Sequence, residues 1–303
     1  MLKINEELKK YNLIPYKYTN KNNIIIVDTK DGSYVLKKRS NNNIFAYLDS
    51  RNFKYYPTII SDYQDDYLIT KYIDGVDIPK EQQLDDMIDL VSLLHNKTTH
   101  YKQVDEDEFN EIYENINNNI DYLYSYYNDV LSICESKIYW SPAEYLLLLN
   151  AHKIYYSLSR CKYLIDKWKE EIKDIHKKRL VILHNNLKLE HFIENDVPYL
   201  ISWDMSKIDS PIFDIYKLYR NHRDIDYSLV LNRYEKKYPL KKEEKLLLFA
   251  LLSMPDKIEF DDNIYQMCIK IQSDMDLLDK LDNLISPYDF ENAKNDQEPK
   301  NKY

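Results

Sequence analysis

The sequence predicts an α+β protein in which a small antiparallel sheet with one helix precedes a larger, mainly helical part. Three observations predict it. β-Branched and aromatic runs around an Asp-Gly turn occupy the first seventy or so residues. Beyond residue 80, apolar residues recur at helical spacing. Between 180 and 205 that spacing gives way to a polar stretch rich in His and Asn.

The hairpin comes first. Ile24-Ile25-Ile26-Val27 is followed by the turn Thr29-Lys30-Asp31-Gly32 and then by Ser33-Tyr34-Val35-Leu36-Lys37. Residues 42–52 suit a short helix, Pro57 through Ser61 and Tyr67 through Tyr72 predict a second strand pair, and Asp74-Gly75 marks a change of direction. Leu84, Met87, Ile88, Val91 and Leu94 keep helical spacing, and His95 at the end of that run is expected to cap helix carbonyls. The acidic residues 103–120 and the Tyr-rich run after them continue the helical pattern. Ser141-Pro142-Ala143-Glu144 supplies an N-cap, a proline in the first turn and a capping-box Glu. Behind it Ile154, Leu158, Cys161, Ile165, Trp168, Ile172 and Ile175 form a seam spaced 4, 3, 4, 3, 4, 3, the mark of a core helix. Leu180–Leu183 is an apolar run, and Phe192 through Asp204 read as hairpin-like. Helices are expected from Asp214, over 242–253 and over 263–285, with a polar, disordered tail from Ser286.

Composition narrows the function. With only 2 Gly in 303 residues, neither within a phosphate-cradling loop or a nucleophile elbow, Walker-type NTPases, Rossmann dehydrogenases and α/β-hydrolases are poor fits. A net charge of −9 argues against a nucleic-acid partner. Cys134, Cys161 and Cys268 are far apart and read as reduced thiols, not metal ligands. No stretch approaches 18 uninterrupted apolar residues and the N-terminal segment lacks a signal-type apolar region, so the expectation is a soluble cytoplasmic protein without a membrane partner. The 30 tyrosines favour protein partners, since Tyr is enriched at interface hot spots.

The order of features resembles the protein-kinase-like fold, and within it the aminoglycoside phosphotransferase and choline-kinase group. That group carries H-[GN]-D-x-x-x-x-N in its catalytic loop, then I-D-[WF]-[DE] with P-x-x-D-[LI] nine residues beyond the first Asp of that signature. Here the first reads His184-Asn185-Asn186-Leu187-Lys188-Leu189-Glu190-His191, and the second Ile201-Ser202-Trp203-Asp204 with Pro211-Ile212-Phe213-Asp214-Ile215. Tyr34-Val35-Leu36-Lys37 looks like the nucleotide-lysine strand, and Leu68 through Gly75 like the last sheet strand and linker, which points to Lys37, Lys71 and Tyr72 as nucleotide-binding positions. Tyr238-Pro239-Leu240 and the acidic-apolar helix after it are similar to the spore-coat-associated branch. The resemblance implies two lobes, 1–74 with the sheet and 75–285 with the helices, followed by the tail 286–303. It also implies that Asp214 anchors the catalytic loop and that Trp203 is a core residue.

The resemblance fails where the chemistry lies. The family's catalytic Asp, which accepts or orients the substrate hydroxyl proton, is Asn186 here. Its metal-binding loop Asn is His191, a softer nitrogen ligand, and its metal-bridging Asp is Ser202. Lys37 has no evident partner in the 42–52 helix beyond Asp49. Three rescues are open. Asp204 could take the metal after a two-residue register shift, although the spacing to Pro211 fits without one. His184, His191 and Asp204 could bind a transition metal, and Glu190 could serve as base. The reading is a pseudokinase with no intact catalytic residue and no expected cofactor, acting through protein partners in a spore-coat or envelope setting, or through a small ligand. The alternative is a phosphotransferase using ATP with Mg²⁺ or Mn²⁺, its acidic residues near 103–108 and 121 holding a small cationic substrate.

Overall fold

The computed structural model describes residues 2–21, 24–39, 44–260 and 263–288. Contacts divide the chain into two compact units, Met1–Lys102 with Arg179–His222 and Val230–Pro239, and Gln103–Lys178 with Arg223–Leu229 and Leu240–Tyr303. This division follows a different line from the 74/75 lobe boundary of the resemblance, because the segment around the His-Asn loop returns to the first unit.

The first unit begins with helix α1 (Leu2–Lys10) and a four-stranded antiparallel sheet, β1 (Pro15–Lys21), β2 (Ile24–Thr29), β3 (Gly32–Lys38) and β4 (Tyr67–Lys71), in the order β1-β2-β3-β4. The β2–β3 hairpin has the expected register, Thr29 opposite Gly32 and Ile24 opposite Lys37. Gly32 takes φ +133, a conformation that side chains rarely adopt. Strand alternation sorts the sheet into two faces. Val27, Leu36 and Ile69 on one face are buried with Leu8 and Leu13 in a core that holds α1 against the sheet. Ile24, Lys37 and Leu68 share the other face, as do Val35 and Thr70.

Helix α2 (Ile44–Ser50) lies within the expected 42–52 segment, whose first two residues are outside those described. The segment Pro57 through Ser61, expected as a strand, makes only an isolated bridge, Ile59 to Thr70. The proline and the short turn that follows leave too little length for a ladder. Helix α3 (Lys80–Thr98) is longer than its apolar run, and the short strand β5 (His100–Gln103) follows it.

The second unit is built on α4 (Glu106–Glu135) and α5 (Pro142–Glu171). Ser141 caps α5 as expected: Glu144 N–H donates to Ser141 Oγ (3.3 Å) and Ser141 N–H to Glu144 Oε2 (2.7 Å). The seam residues Ile154, Leu158, Cys161, Ile165, Trp168 and Ile172 are all buried. Further along the chain come β6 (Lys177–Leu183), the two-residue strands β7 (Phe192–Ile193) and β8 (Tyr199–Leu200), and β9 (Lys207–Asp209). Helices α6 (Ile212–Asn221), α7 (Tyr227–Lys237), α8 (Lys242–Ser253) and α9 (Ile264–Ile285) complete the order. In the second unit α5 packs on α4, α8 and α9, so its seam is a core seam. Burial pushes the Cys161 thiol up to about 12, which keeps it protonated and inert. All three cysteines are unpaired. No helix among the described residues is long and apolar enough to cross a membrane.

Candidate functional site

The loop after β6 is built on one buried carboxylate. Asp214, in the first turn of α6, is fully buried and accepts the backbone N–H groups of His184 (2.9 Å) and Asn185 (2.6 Å). It also accepts Nε2–H of His95 (3.1 Å), whose Nδ1 in turn accepts the Tyr234 hydroxyl (2.6 Å). Burial alone would raise the Asp214 carboxyl. The hydrogen bond from His95 and the surrounding donors outweigh it and hold the group below the usual carboxylate range. His95 therefore lies inside the loop's anchor instead of capping helix carbonyls. Its position, within α3 and facing α6, was invisible to a reading confined to its own helix.

Asn185 takes φ +61, a left-handed conformation in which Asn is among the few tolerated side chains. This explains why a Gly or Asn suits the position. Its Nδ2 donates to the Met205 carbonyl (2.6 Å), and its own carbonyl accepts Lys217 Nζ (3.3 Å). His184 is fully buried, and its Nε2–H donates to the Ile201 carbonyl (2.8 Å). Burial pushes its pKa down, so the ring is neutral, and its Nδ1 has no partner among the described residues. Trp203 packs edge-on to His184 (4.8 Å between centroids), with Phe45 (6.4 Å) and Phe53 (6.1 Å) on it and its Nε1–H donated to the Leu200 carbonyl (2.7 Å). Such a buried indole stabilises its surroundings by roughly 3–5 kcal/mol against truncation.

The positions where chemistry is expected are arranged differently. His191 closes the loop on itself, its Nδ1–H donating to the Asn186 carbonyl (2.7 Å). Asn186 is half-buried, and Glu190, the candidate substitute base, is exposed. Ser202 occupies the left-handed region at φ +66, which starts a 3-10 turn at Trp203–Met205. Asp204 thus sits on a turn, not on a shifted strand. It forms an ion pair with Lys37, both side chains about a quarter exposed (26% and 28%). Asp49, the expected alternative partner of Lys37, instead accepts the Tyr56 hydroxyl (2.5 Å).

A cavity of about 170 Å³ joins these elements within the first unit. Lys37, Lys71, Tyr72, Ser202, Trp203 and Asp204 all line it, so the three predicted nucleotide positions and three residues of the second motif meet at one place, while Asn186 and His191 are not on its lining. Its remaining walls are mainly apolar, with Ile24, Val35, Ile193 and Ile201 among them. Strand alternation puts Lys71 on the face of β4 opposite to the residues aligned with Lys37. The linker is fixed beside it: Val76 N–H donates to the Glu194 carbonyl (2.8 Å), and Gln83 Nε2 to those of Leu189 (2.9 Å) and Phe192 (3.2 Å). A Cβ at Gly75 would stand 2.9 Å from Ile193 Cγ2, which accounts for glycine there.

Of the acidic residues expected to attract a cation, Glu108 pairs with Lys178, while Asp105 and Asp121 are exposed. Among the described residues no three His, Cys, Asp or Glu side chains gather as a metal-binding group.

Neither a protein-family model nor a curated protein sequence matches the chain. Solved structures do. An aminoglycoside phosphotransferase from Alicyclobacillus acidocaldarius superposes with a TM-score of 0.70 at 12% identity, over 93% of this chain and 94% of that one. The AMP-bound spectinomycin phosphotransferase APH(9)-Ia gives 0.52 at 12% identity, over 95% of each chain. Choline kinase LicA from Streptococcus pneumoniae gives 0.49 at 13% identity, over 94% of this chain and 98% of that one. The chain has the kinase-like fold of the Alicyclobacillus phosphotransferase, a small antiparallel sheet with a larger helical part.

Phosphotransfer on that fold requires oxygen ligands for a divalent cation bridging the phosphates. The residues here do not fit that group. Ser202 brings one hydroxyl, His191 an imidazole tied to its own loop, and the Asp204 carboxylate is engaged by Lys37.

Proposed function

We propose that this chain is a pseudokinase related to the aminoglycoside and choline phosphotransferases, which binds a partner or a small ligand and does not transfer phosphoryl groups. One observation carries the reading: the Lys37 ammonium is paired with Asp204, and it is supported by the motif resemblance, which implies base and metal ligands at the positions held by Asn186, His191 and Ser202. Phosphoryl transfer is mostly positioning and charge neutralisation. Loss of the base alone costs about 10²–10⁴-fold, and loss of the cation ligands removes most of the remaining charge stabilisation. The anchored loop supports a folded, ligand-competent cleft without that chemistry.

The setting we infer is spore-coat or envelope assembly with protein partners, supported by the similarity of the Tyr238-Pro239-Leu240 run and by the abundance of tyrosine. A second reading, a weakly active ATP-dependent small-molecule phosphotransferase with Mg²⁺ or Mn²⁺ on Asp204, is favoured by Asp204 lining the same cavity as Lys37. ATP turnover by the purified chain, with each metal and with aminoglycoside or choline as acceptor, separates the two. The expected result is background turnover throughout. Turnover that Asp204→Ala abolishes would replace the first reading with the second.

A further inference from the structure

Helix α5 carries two stripes, and only one of them is buried. The seam from Ile154 to Ile172 packs inside the second unit. The helix is tied to α9 by the Lys153–Asp279 (2.6 Å) and Arg160–Asp282 (2.5 Å) ion pairs. It is tied to α4 by the Tyr155 hydroxyl on Asn128 (2.6 Å) and by Lys162 on Asn117 (2.8 Å). Between these flanks Tyr145, Leu149, His152 and Tyr156 are exposed, with Tyr163 further along. Their spacing of 4, 3 and 4 keeps the first four on one face of the helix. From Pro142 to Ser159 no exposed residue of α5 carries a carboxylate, an ammonium or a guanidinium.

The stripe continues into the turn between α4 and α5. Trp140 stacks on Tyr145 (6.4 Å between centroids, 26° between planes), and its Nε1–H is donated to the Cys134 carbonyl (2.7 Å). The indole is thus held in place with its one donor satisfied. Ile138 (90%) and Tyr139 (87%) beside it are almost wholly exposed, and Tyr145, Leu149 and Tyr156 are each more than half exposed. At about 150–250 Å² for a large aromatic side chain, stripe and turn together present on the order of 800 Å². A monomer's largest apolar patch is commonly about 300–600 Å², whereas one partner of a standard interface gives roughly 800 Å².

The spacing points to what covers this surface. The intervals 4, 3 and 4 read the same in both directions, so a second α5 laid antiparallel, with the twofold axis between Leu149 and His152, meets the first in register. Tyr145 then faces Tyr156 of the second copy, Leu149 faces His152, and Tyr163 runs toward the turn that holds Ile138 and Trp140. Each pair occurs twice, as an isologous interface requires. Chains of net charge −9 repel one another, and a stripe without charged side chains is where two of them approach at least cost.

We propose that the chain forms a twofold dimer through the outer face of α5 and the adjoining turn, with α5 antiparallel to its copy. The proposal concerns the second unit and is independent of whether phosphoryl transfer occurs at the cavity of the first.

Sedimentation equilibrium of the full chain over a rising concentration series tests it. The wild type is expected to pass from the mass of one chain to that of two and to stop there. Tyr145→Lys and Tyr156→Glu, both at exposed positions, should each weaken association roughly 10-fold or more. Combined in one chain they should restore it, because the antiparallel register sets the introduced ammonium of each copy against the introduced carboxylate of the other. A thermal melt of each variant checks that it is folded. A wild type that keeps the mass of one chain at every concentration would overturn the proposal, as would masses that climb past two chains. So would a dimer that neither single substitution weakens, or a double variant that associates no better than the singles.

Discussion

The two sides of the His184–Asp214 segment have been treated differently. On the buried side, Asp214 ties together two backbone amides and His95, His184 holds the Ile201 carbonyl, and Trp203 fills the space between aromatic rings. Outside that buried network, Asn186 and Ser202 carry no carboxylate, His191 is bonded to its own loop, and Asp204, on the cavity lining, is paired with Lys37. The difference teaches that the shape of this loop rests on buried hydrogen bonds to Asp214, independent of the side chains at Asn186, His191 and Ser202.

The comparison breaks most visibly at the anchor. Asp214→Ala leaves two buried amides and the His95 ring without their acceptor, a loss of about 3–5 kcal/mol by analogy with broken buried ionic networks. Urea unfolding should show a correspondingly lower midpoint. If that variant is too unstable to purify, Asp214→Asn, which keeps an acceptor oxygen, should show a smaller loss. A wild-type midpoint for both would mean that Asp214 anchors nothing.

A smaller effect sharpens the comparison through pH. The His184 pKa is lowered by burial, against the opposing influence of Asp214 and the bond to Ile201; His191 lowers it further and Asp204 raises it. A folded pKa below the unfolded value of about 6.5 means that the unfolded chain binds the extra proton first. Stability from the neutral ring is therefore full above about pH 6.5 and is lost as pH falls toward the folded pKa. Protonation would also place an N–H on Nδ1, which has no acceptor among the described residues. His184→Gln, which keeps a donor toward Ile201, should melt with a shallower fall between pH 7 and pH 5 than the wild type. Equal slopes would show that His184 is not the titrating group.

Much of this architecture was readable residue by residue, because its signals are local. The β2–β3 hairpin follows from two β-branched runs around a short turn, and the start of α5 from Ser141 and Glu144. What escaped was either weakly patterned or distant in sequence. Strand β1 carries Tyr16 exposed on a polar edge, so it shows no buried stripe. Helix α7 does have a stripe, since Tyr227, Val230, Leu231 and Tyr234 are buried at helical spacing, and that signal was available. The motif reading names Asn186, His191, Ser202 and Asp214, and of these the structure gives Asp214 a buried set of hydrogen bonds. It could not pair Lys37 with Asp204 or His95 with Asp214, because those contacts join residues 167 and 119 positions apart. Only the fold brings them together.

The central proposal is that the chain holds the buried loop anchor without a working cation site. Electron paramagnetic resonance of Mn²⁺, titrated with the protein in the presence of ATP, tests it most directly by separating protein-bound metal from free Mn²⁺–ATP. The wild type should add no bound signal beyond that of Mn²⁺–ATP alone, while the variant carrying Asn186→Asp, His191→Asn and Ser202→Asp together should add one. A wild-type bound signal that disappears in Asp204→Ala would contradict the account, because it would place a working cation site on the carboxylate assigned here to Lys37.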